Sequence, residues 1–479
     1  MKKYLYLFVA IATLLFAGAC SKTKLNPVST TSLPLSSTFS TTGRIANQIN
    51  GLYSAAKSGN LYGGRYLIYG DVRGENFLNQ TGNVVTALAI WNFTVTGSDP
   101  EINNTWNDAY AAINMANIFL AGMEAGGNTV AGATLSKNYN GEAKFVRALM
   151  YYTLLQLYAQ PYVNGSGSQP GLPLRLTPIT GSGFNNLARS SVSDIYKQIL
   201  SDLNDAEGSL PTDYGDPGLN TTRAHVNTAI ALKTRVYLSM GDYASVITEA
   251  NKIVSASAPF KAPSGVANTL QANIGTVFTN YNTPESILSM PFTGANEAPG
   301  TQNQLAYYYL PTIGNGEFSL NPSGIVADAG WTASDARKSF IYTDSKGGLW
   351  LSKYSSGSPY LDWVPVMRYS EVLLNLAEAR VRTTNSVDAQ AVALLNAVRN
   401  RSDPTTTFTA GNFATATDLI NAILKERDIE FLGEGLRSPD IMRLGLSFPA
   451  KGSVKAVDPS NAAYIFPAPT SETQYNSLW

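Results

Sequence analysis

The chain has 479 residues, of which 44% are hydrophobic and only 14% are charged, against roughly 25% charged in an average soluble protein. Basic and acidic residues both number 34, so there is no basic excess to bind a nucleic-acid backbone, and nucleic acid is excluded as a partner. A single cysteine and a single histidine exclude an internal disulfide and a zinc site built from Cys and His.

The N-terminus has the three zones of a bacterial secretory signal. Two lysines are followed by an apolar run from Tyr4 to Phe16 and by three small residues that directly precede Cys20. The run is shorter than the roughly 20 residues that cross a bilayer as a helix. We therefore predict a lipoprotein signal peptide at residues 1–19, a lipid-modified Cys20 and a Ser/Thr/Pro-rich tether at 20–40. The alternative is a secreted protein with an unmodified thiol.

Apolar residues recur at three- and four-residue spacing through much of the rest of the chain, which predicts helices. The predicted helices are 45–57, 106–123, 142–158, 191–211, 224–240, 243–257, 369–383, 387–401 and 418–432. The pair 224–240 and 243–257 is joined by a short turn containing Gly241, in the manner of a tetratricopeptide repeat, and 369–383 with 387–401 forms a second pair.

Two stretches lack this periodicity. Residues from about 259 to 364 are rich in Gly, Pro, Asn and aromatics, and residues 70–97 are a shorter stretch of the same kind. Long irregular segments inside a folded domain are commonly functional. The predicted fold of residues 41–479 is thus mainly α, a scaffold of tetratricopeptide-like helical pairs that carries long irregular inserts.

Four segments in chain order resemble the SusD/RagB family of outer-membrane nutrient-binding lipoproteins. They are Gly141 to Leu155, beginning GEAKFVRA, Ser191 to Pro211, Arg368 to Arg401, beginning RYSEVLL, and Ile423 to Gly445, followed by the closing Phe466-Pro467-x-Pro469. The resemblance implies a SusD-like fold and a lipid-anchored outer-membrane protein that faces the cell surface. Such a protein binds an oligosaccharide without cleaving it and hands it to a SusC-like TonB-dependent transporter. The sequence departs from the pattern in one respect, because no acidic residue follows Cys20 within Ser21 to Lys24.

The glutamates of the last predicted helix allow two interpretations. Glu426, Glu430 and Glu434 repeat every four residues, and paired carboxylates are what a glycosidase requires. Three arginines nearby in sequence, Arg427, Arg437 and Arg443, favour structural ion pairs instead, because buried carboxylates normally keep such partners.

Other ionisable residues are given structural roles as well. Glu142 with Arg147 and Arg368 with Glu371 are predicted to form ion pairs, and His225, at the start of a helix, is predicted to act as a cap or to lie at the surface. No EF-hand spacing is present, so neither a metal nor any other cofactor is predicted.

Sugar recognition requires aromatic rings beside polar groups that bind the hydroxyls. Two patches offer this combination. The first contains Asp71, Arg73, Glu75, Asn76 and Trp91, and the second contains Tyr307, Tyr308, Tyr309 and Trp331. The alternative for the two tryptophans is that they fix long loops to the scaffold. A peptide remains an alternative ligand, because tetratricopeptide-like grooves often bind peptides.

Overall fold

The computed structural model describes residues 35–181, 183, 185–294, 297, 300 and 304–479. The predicted signal peptide, the predicted lipidation site Cys20 and most of the predicted tether lie outside the described residues.

Helices dominate the described chain. Those of seven or more residues are α1 (Thr42–Ala56), α2 (Arg65–Val72), α3 (Pro100–Gly122), α4 (Ala133–Tyr158), α5 (Val192–Ser209), α6 (Val226–Met240), α7 (Tyr243–Ala250), α8 (Tyr369–Thr384), α9 (Ala389–Ser402), α10 (Ala416–Glu430) and α11 (Arg437–Arg443). Shorter α-helical segments are Leu35–Thr38, Leu88–Trp91, Asn128–Ala131, Pro217–Thr222, Ile274–Val277, Leu305–Tyr309 and Thr470–Thr473. A π turn, Met123–Gly127, follows α3, and single 3₁₀ turns occupy Tyr162–Asn164, Ile325–Ala327, Ala336–Phe340, Ala410–Asn412 and Ala462–Tyr464.

The helices stack serially, each on its neighbour in sequence. α3 packs on α4, α4 on α5, α5 on α6, α6 on α7, α7 on α8, and α8 on both α9 and α10. The prediction of a mainly α scaffold of helical pairs is confirmed. No helix among the described residues is long and apolar enough to cross a membrane.

Short strands occur between the helices of the described chain. They are β1 (Phe77–Asn79), β2 (Pro170–Pro173), β3 (Arg189–Ser191), β4 (Ser286–Met290), β5 (Phe318–Leu320), β6 (Ile341–Thr343), β7 (Leu349–Leu351) and β8 (Val364–Arg368), and those from β4 onward belong to the predicted irregular insert or its end. They form four antiparallel pairs, β1 with β5, β2 with β3, β4 with β8 and β6 with β7. Because β8 continues directly into α8, the β4–β8 pair closes the insert onto the helical scaffold.

The predicted partners of four charged residues are wrong. Glu142 pairs with Arg223 at 2.7 Å, Arg147 with Asp202 at 2.6 Å, and Glu371 with Arg235 at 2.6 Å. Glu142 and Arg147 cannot share a helix face, because five residues advance an α-helix by about 140°. Arg368 lies in β8 and reaches back to α10, away from Glu371 on α8.

Two glutamates of α10 and one in the turn that follows it are buried in a cluster of charges. Glu426, Glu430 and Glu434 pair with cations that are distant in sequence, namely Arg337, Lys353, Arg368, Arg399 and Arg401. The neighbouring arginines Arg427, Arg437 and Arg443 pair elsewhere, with Asp440, Glu75 and Glu378. The three glutamates therefore do not form an accessible carboxylate pair of the kind a glycosidase needs.

Candidate functional site

The structure brings together the two segments that the sequence singled out. Strand β1 lies between Asn76 and Trp91 of the first predicted patch, and strand β5 lies between Tyr309 and Trp331 of the second. The two strands pair in antiparallel register from Phe77 opposite Leu320 to Asn79 opposite Phe318. The ring of Phe77 lies 4.9 Å from that of Tyr309, between centroids. The two predicted patches are therefore adjacent in space.

The charged residues of the first patch face inward. Asp71 is 2% exposed, and its Oδ2 accepts a 2.7 Å hydrogen bond from the N–H of Gly435. Arg73 is 1% exposed, donates to the carbonyl of Tyr464 and lies 4.4 Å from the centroid of the Phe448 ring. Burial lowers the pKa of Arg73 to about 10. This burial contradicts the prediction that Asp71 and Arg73 contact a ligand.

The remaining residues of the first patch connect loops to the scaffold. Asn76 is buried and donates to Asp428 of α10 at 2.7 Å. The indole N–H of Trp91, also buried, donates to the carbonyl of Phe77 at 2.8 Å. Glu75 is half-buried and pairs with Arg437. The prediction that Asn76 and Trp91 contact a ligand is wrong for the same reason, since their polar groups are enclosed and already bonded to protein.

The second patch is mostly buried as well. Tyr308, Tyr309 and Trp331 are at most 4% exposed, so the prediction that they bind ligand is also contradicted. The ammonium of Lys338 lies 4.0 Å from the centroid of the Trp331 ring, which holds this loop in place. Tyr307 is half-buried, which makes it the most exposed member of the patch.

Exposed polar groups lie just beyond the paired strands, on the loops 80–86 and 311–317. Gln80, Thr81 and Asn315 are exposed and Asn83 is half-buried. Three of them, Thr81, Asn83 and Asn315, surround the fully buried carboxylate of Glu317, and the backbone N–H of Gln80 donates to the Glu317 carbonyl at 2.8 Å. We call these five residues the amide cluster. Asn315 Nδ2 and Asn83 Nδ2 donate to Glu317 at 2.6 and 3.1 Å, and the Thr81 hydroxyl donates to it as well. One carboxylate thus fixes both loops.

Local sequence shapes the first of these loops. The Asn79 side chain accepts from the N–H of Gly82 at 2.8 Å, and Gly82 has φ +65°, a left-handed conformation that favours glycine. The Asn83 side chain accepts from the N–H of Val85 at 3.0 Å. These turns leave Val84 72% and Val85 48% exposed, so apolar surface lies beside the amides.

The buried guanidinium of Arg65 holds the backbone of the loop 80–86. Arg65, 6% exposed, donates from Nη2 to the carbonyl of Val85 at 3.1 Å. Burial opposes its charge, but Tyr69, Tyr308 and Glu101 outweigh that effect and raise its pKa. The guanidinium therefore stays charged and holds the loop backbone in position.

Aromatic side chains flank the second loop. The Tyr307 ring lies 5.8 Å from that of Tyr360, and the Tyr360 hydroxyl donates to the carbonyl of Ile313 at 2.9 Å. A Cβ on Gly316 would come within 3.0 Å of the Trp350 ring, so the loop packs closely on this tryptophan. The loop that carries Asn315 thereby lies beside three aromatic residues, of which Tyr307 is half-buried and Tyr360 and Trp350 are buried.

This arrangement is suited to recognising a neutral ligand rich in hydroxyl groups. Amides supply both donors and acceptors, and Val84 with the Tyr307 ring supplies apolar contact. No group of three or more His, Cys, Asp or Glu side chains within the described ranges could hold a metal ion. The sequence contained one signal for this site, the Asn/Gln/Gly content of residues 79–83 and 314–317, which lie within the spans of the two predicted patches.

Comparison with known families gives two matches, which together span most of the chain. A family model described as "Starch-binding associating with outer membrane" matches residues 26–238. A second model, described as "SusD family", matches residues 328–477. A curated relative, SusD-like protein P2 of Formosa agariphila, is 24% identical over 528 residues, covering 100% of this chain and 98% of that protein.

Solved structures show the same architecture. A SusD superfamily protein from Bacteroides fragilis is 34% identical, with a TM-score of 0.83, covering 92% of this chain and 99% of its own. A SusD superfamily protein from Bacteroides thetaiotaomicron is 22% identical, with a TM-score of 0.80, covering 91% and 98%. A protein described as "Laminarin binding SusD-like protein" is 21% identical, with a TM-score of 0.70, covering 91% and 97%.

Proposed function

We propose that this chain, which belongs to the SusD family, binds an oligosaccharide at the amide cluster and passes it to a TonB-dependent transporter of the outer membrane. The observation that carries the proposal is the amide cluster itself, with exposed neutral donors and acceptors around Glu317 and apolar surface beside them. A laminarin-binding protein among the structural neighbours supports a saccharide as the ligand class.

The proposed role is binding without cleavage. Glycosidases need two accessible carboxyl groups about 5 to 9.5 Å apart. The carboxylates that first suggested such a pair, Glu426 and Glu430, are at most 1% exposed and are surrounded by arginines. They are therefore assigned to the stability of the fold.

The membrane attachment is proposed from the sequence. The signal-like N-terminus ends at Cys20, where a lipid would hold the mature protein on the outer membrane. The family model that matches residues 26–238 is described as associating with the outer membrane, which supports this location. We place the protein on the outer face, where a transported saccharide would first arrive.

The test is a calorimetric titration of the full chain, purified in detergent, with a panel of neutral oligosaccharides and peptides. We expect saturable binding of one glycan class, and mass spectrometry should recover that ligand intact. Cleaved ligand would instead identify an enzyme, and binding confined to peptides would identify a peptide receptor. Either result would overturn the proposal.

A paired variant locates the site. Replacing both Gln80 and Val84 by Ala removes an exposed amide and an exposed apolar contact, so we expect affinity to fall at least tenfold with the fold intact. Asn251→Ala is the control, because Asn251 is an exposed amide at the end of α7 in the helical scaffold. Equal affinity for wild type and the double variant would exclude the amide cluster as the site.

A further inference from the structure

A second concavity lies apart from the amide cluster. It has a volume of about 890 Å³, within the range of roughly 300 to 1,000 Å³ that is usual for ligand sites, and it shares no lining residue with the amide cluster. Its walls come from the last turns of α1, the region around Arg223 and the chain after β4. We call it the α1 cleft.

The first notable group in the α1 cleft is the guanidinium of Arg223. Its Nε and Nη2 bind the fully buried carboxylate of Glu142 at 2.8 and 2.7 Å, and the Tyr53 hydroxyl donates to the same carboxylate at 2.9 Å. Burial opposes the charge of Arg223, but Glu142 outweighs it and raises the pKa of the guanidinium. Nη1 donates to no described residue, so two N–H groups of this permanently charged side chain, which lines the cleft, have no acceptor in the described part of the chain.

The second group is the ammonium of Lys57. Its Nζ donates to the carbonyl of Pro291 at 3.0 Å and lies 5.0 Å from the centroid of the Phe292 ring. The nearest acidic oxygen, Oε2 of Glu297, is 3.8 Å away, which is too long for a hydrogen bond. Within the described part of the chain, this ammonium therefore has spare donors.

The acidic group at the rim is held by other contacts. Glu297 is 50% exposed, and its Oε2 accepts from the hydroxyl and the N–H of Thr293 at 2.7 and 3.1 Å. These hydrogen bonds, together with the charge of Lys57, lower the pKa of Glu297, so its carboxylate is ionised at neutral pH. The Glu297 carboxylate neutralises the charge of Lys57 only in part, and it would repel an anionic ligand.

The α1 cleft also offers an aromatic face. Tyr281 lines it and is half-buried, with its ring edge-to-face against Trp363 at 5.9 Å between centroids. The α1 cleft is thus lined by two cations with spare N–H donors, by the ring of Tyr281 and by neutral hydroxyl and amide groups. Anionic oxygens are the natural acceptors for such donors, because charge-assisted hydrogen bonds are roughly twice as strong as neutral ones.

We infer that the α1 cleft is a second ligand site, which binds the carboxylate or sulfate group of an acidic saccharide through Lys57 and Arg223 while a sugar ring packs on Tyr281. This site is separate from the amide cluster, so either proposed site can be refuted without affecting the other.

The binding test uses matched probes on the full chain in detergent. Trigalacturonic acid is compared with its methyl ester, which has the same rings and no charge, and galactose 6-sulfate is compared with galactose. We expect at least one acidic probe to bind at least tenfold more tightly than its neutral counterpart, and this difference to shrink in high salt. The two pairs distinguish a carboxylate from a sulfate. Failure of both acidic probes to exceed their counterparts would overturn the inference.

Two substitutions in the cleft should act in opposite directions. Lys57→Ala should weaken binding of the acidic probe at least tenfold, whereas Glu297→Gln should strengthen it about threefold or more, because a competing negative charge is removed. Substitutions that only impaired folding would weaken acidic-probe binding in both variants, so they cannot produce these opposite changes in affinity. Lys197→Ala is the matched control, because Lys197 is 71% exposed on α5 and outside the cleft.

The double variant with Ala at Gln80 and Val84 separates this inference from the proposed function. Acidic-probe binding should be unchanged in this variant, even though its neutral-glycan affinity falls at least tenfold. Loss of acidic-probe binding in that variant, or unchanged binding in Lys57→Ala, would place the anion elsewhere and refute the α1 cleft as its site.

Discussion

Nη1 of Arg368 lies 2.8 Å from Oε1 of Glu430, and this contact joins the return strand of the long insert to the last turn of α10. Both side chains are at most 2% exposed. Arg337 and Arg401 contact the same carboxylate and, together with Arg368, outweigh the effect of burial to hold the pKa of Glu430 well below its usual range. The insert is thus fixed to the scaffold by ionised groups inside the protein.

Removing the negative charge of Glu430 should lower the free energy of unfolding. Glu430→Gln leaves three arginines without their shared carboxylate, and breaking a buried ion pair in this way costs about 3 to 5 kcal/mol. Urea unfolding should show this loss, while glycan affinity per folded molecule stays the same. Glu124→Gln, at an exposed position, should stay within about 0.5 kcal/mol of wild type. Loss of a measurable hydrolytic activity in Glu430→Gln would instead restore the catalytic interpretation.

Close backbone contact between α2 and the turn after α10 gives a second stability prediction. A Cβ on Gly70 would lie 2.1 Å from the carbonyl oxygen of Gly435, so Gly70→Ala should destabilise the protein by at least about 1 to 3 kcal/mol. Gly208→Ala, also within a helix but exposed and with no atom within 4 Å, should stabilise it by about 0.5 to 1 kcal/mol. Thermal unfolding of the two variants measures both changes in stability. A Gly70→Ala protein as stable as wild type would contradict the close contact between Gly70 and Gly435.

The helical scaffold could be predicted because its signals are local. Ser191, where the predicted helix 191–211 begins, caps α5 by accepting from the N–H of Asp194 at 3.0 Å. The end of α7 was missed, since the predicted helix 243–257 stops at Ala250. Ser255, Ser257 and Pro259 follow, and such residues favour turns over helix.

The two segments that carry the proposed site were singled out from the sequence, but the side chains of the amide cluster were not. Asp71 is satisfied by Gly435 and Asn76 by Asp428, more than 350 residues away in sequence in each case. No local pattern reveals such partners, so polar residues that hold the fold together resembled ligand contacts. The pairing of β1 with β5 is equally long-range, and it is what places Asn83 and Asn315 around one carboxylate.

The proposed lipid anchor gives a prediction that does not depend on the fold. Cys20→Ala removes the only thiol of the chain and with it the acylation site. We expect the protein to leave the membrane fraction, because two or three acyl chains supply the membrane affinity. Fractionation followed by immunoblotting measures this. A variant that stays with the membrane would show that the anchor lies elsewhere.

The amide cluster should depend on its central carboxylate. In Glu317→Gln the side chain loses an acceptor oxygen and gains an amide that faces the donors of Asn83 and Asn315. We expect a loss of about 1 to 3 kcal/mol of stability and at least a tenfold loss of neutral-glycan affinity, because both loops lose their common anchor. Calorimetry and urea unfolding measure the two effects. Unchanged affinity would show that the loops do not form the site.

The single histidine supplies a pH-dependent stability. His225 is the N-cap residue of α6 and is fully buried, which contradicts a surface role and agrees with the predicted cap position. Burial lowers its pKa from 6.5 to about 4. Between these two values the unfolded chain binds a proton that the folded chain excludes, so the free energy of unfolding decreases as pH falls from 6.5 towards 4.

The variant His225→Asn places a residue that is favoured at helix N-caps in this position and removes the titration. From pH 7 to pH 5 the wild type should lose about 2 kcal/mol more stability than the variant, since one pKa unit corresponds to about 1.4 kcal/mol. Asp362 opposes the trend, because burial raises its pKa to about 6 and protonation below that value favours the folded state. This contribution is present in both proteins and cancels in the difference. Urea unfolding at the two pH values gives that difference directly, and parallel curves for wild type and variant would show that His225 is not held neutral in the folded protein.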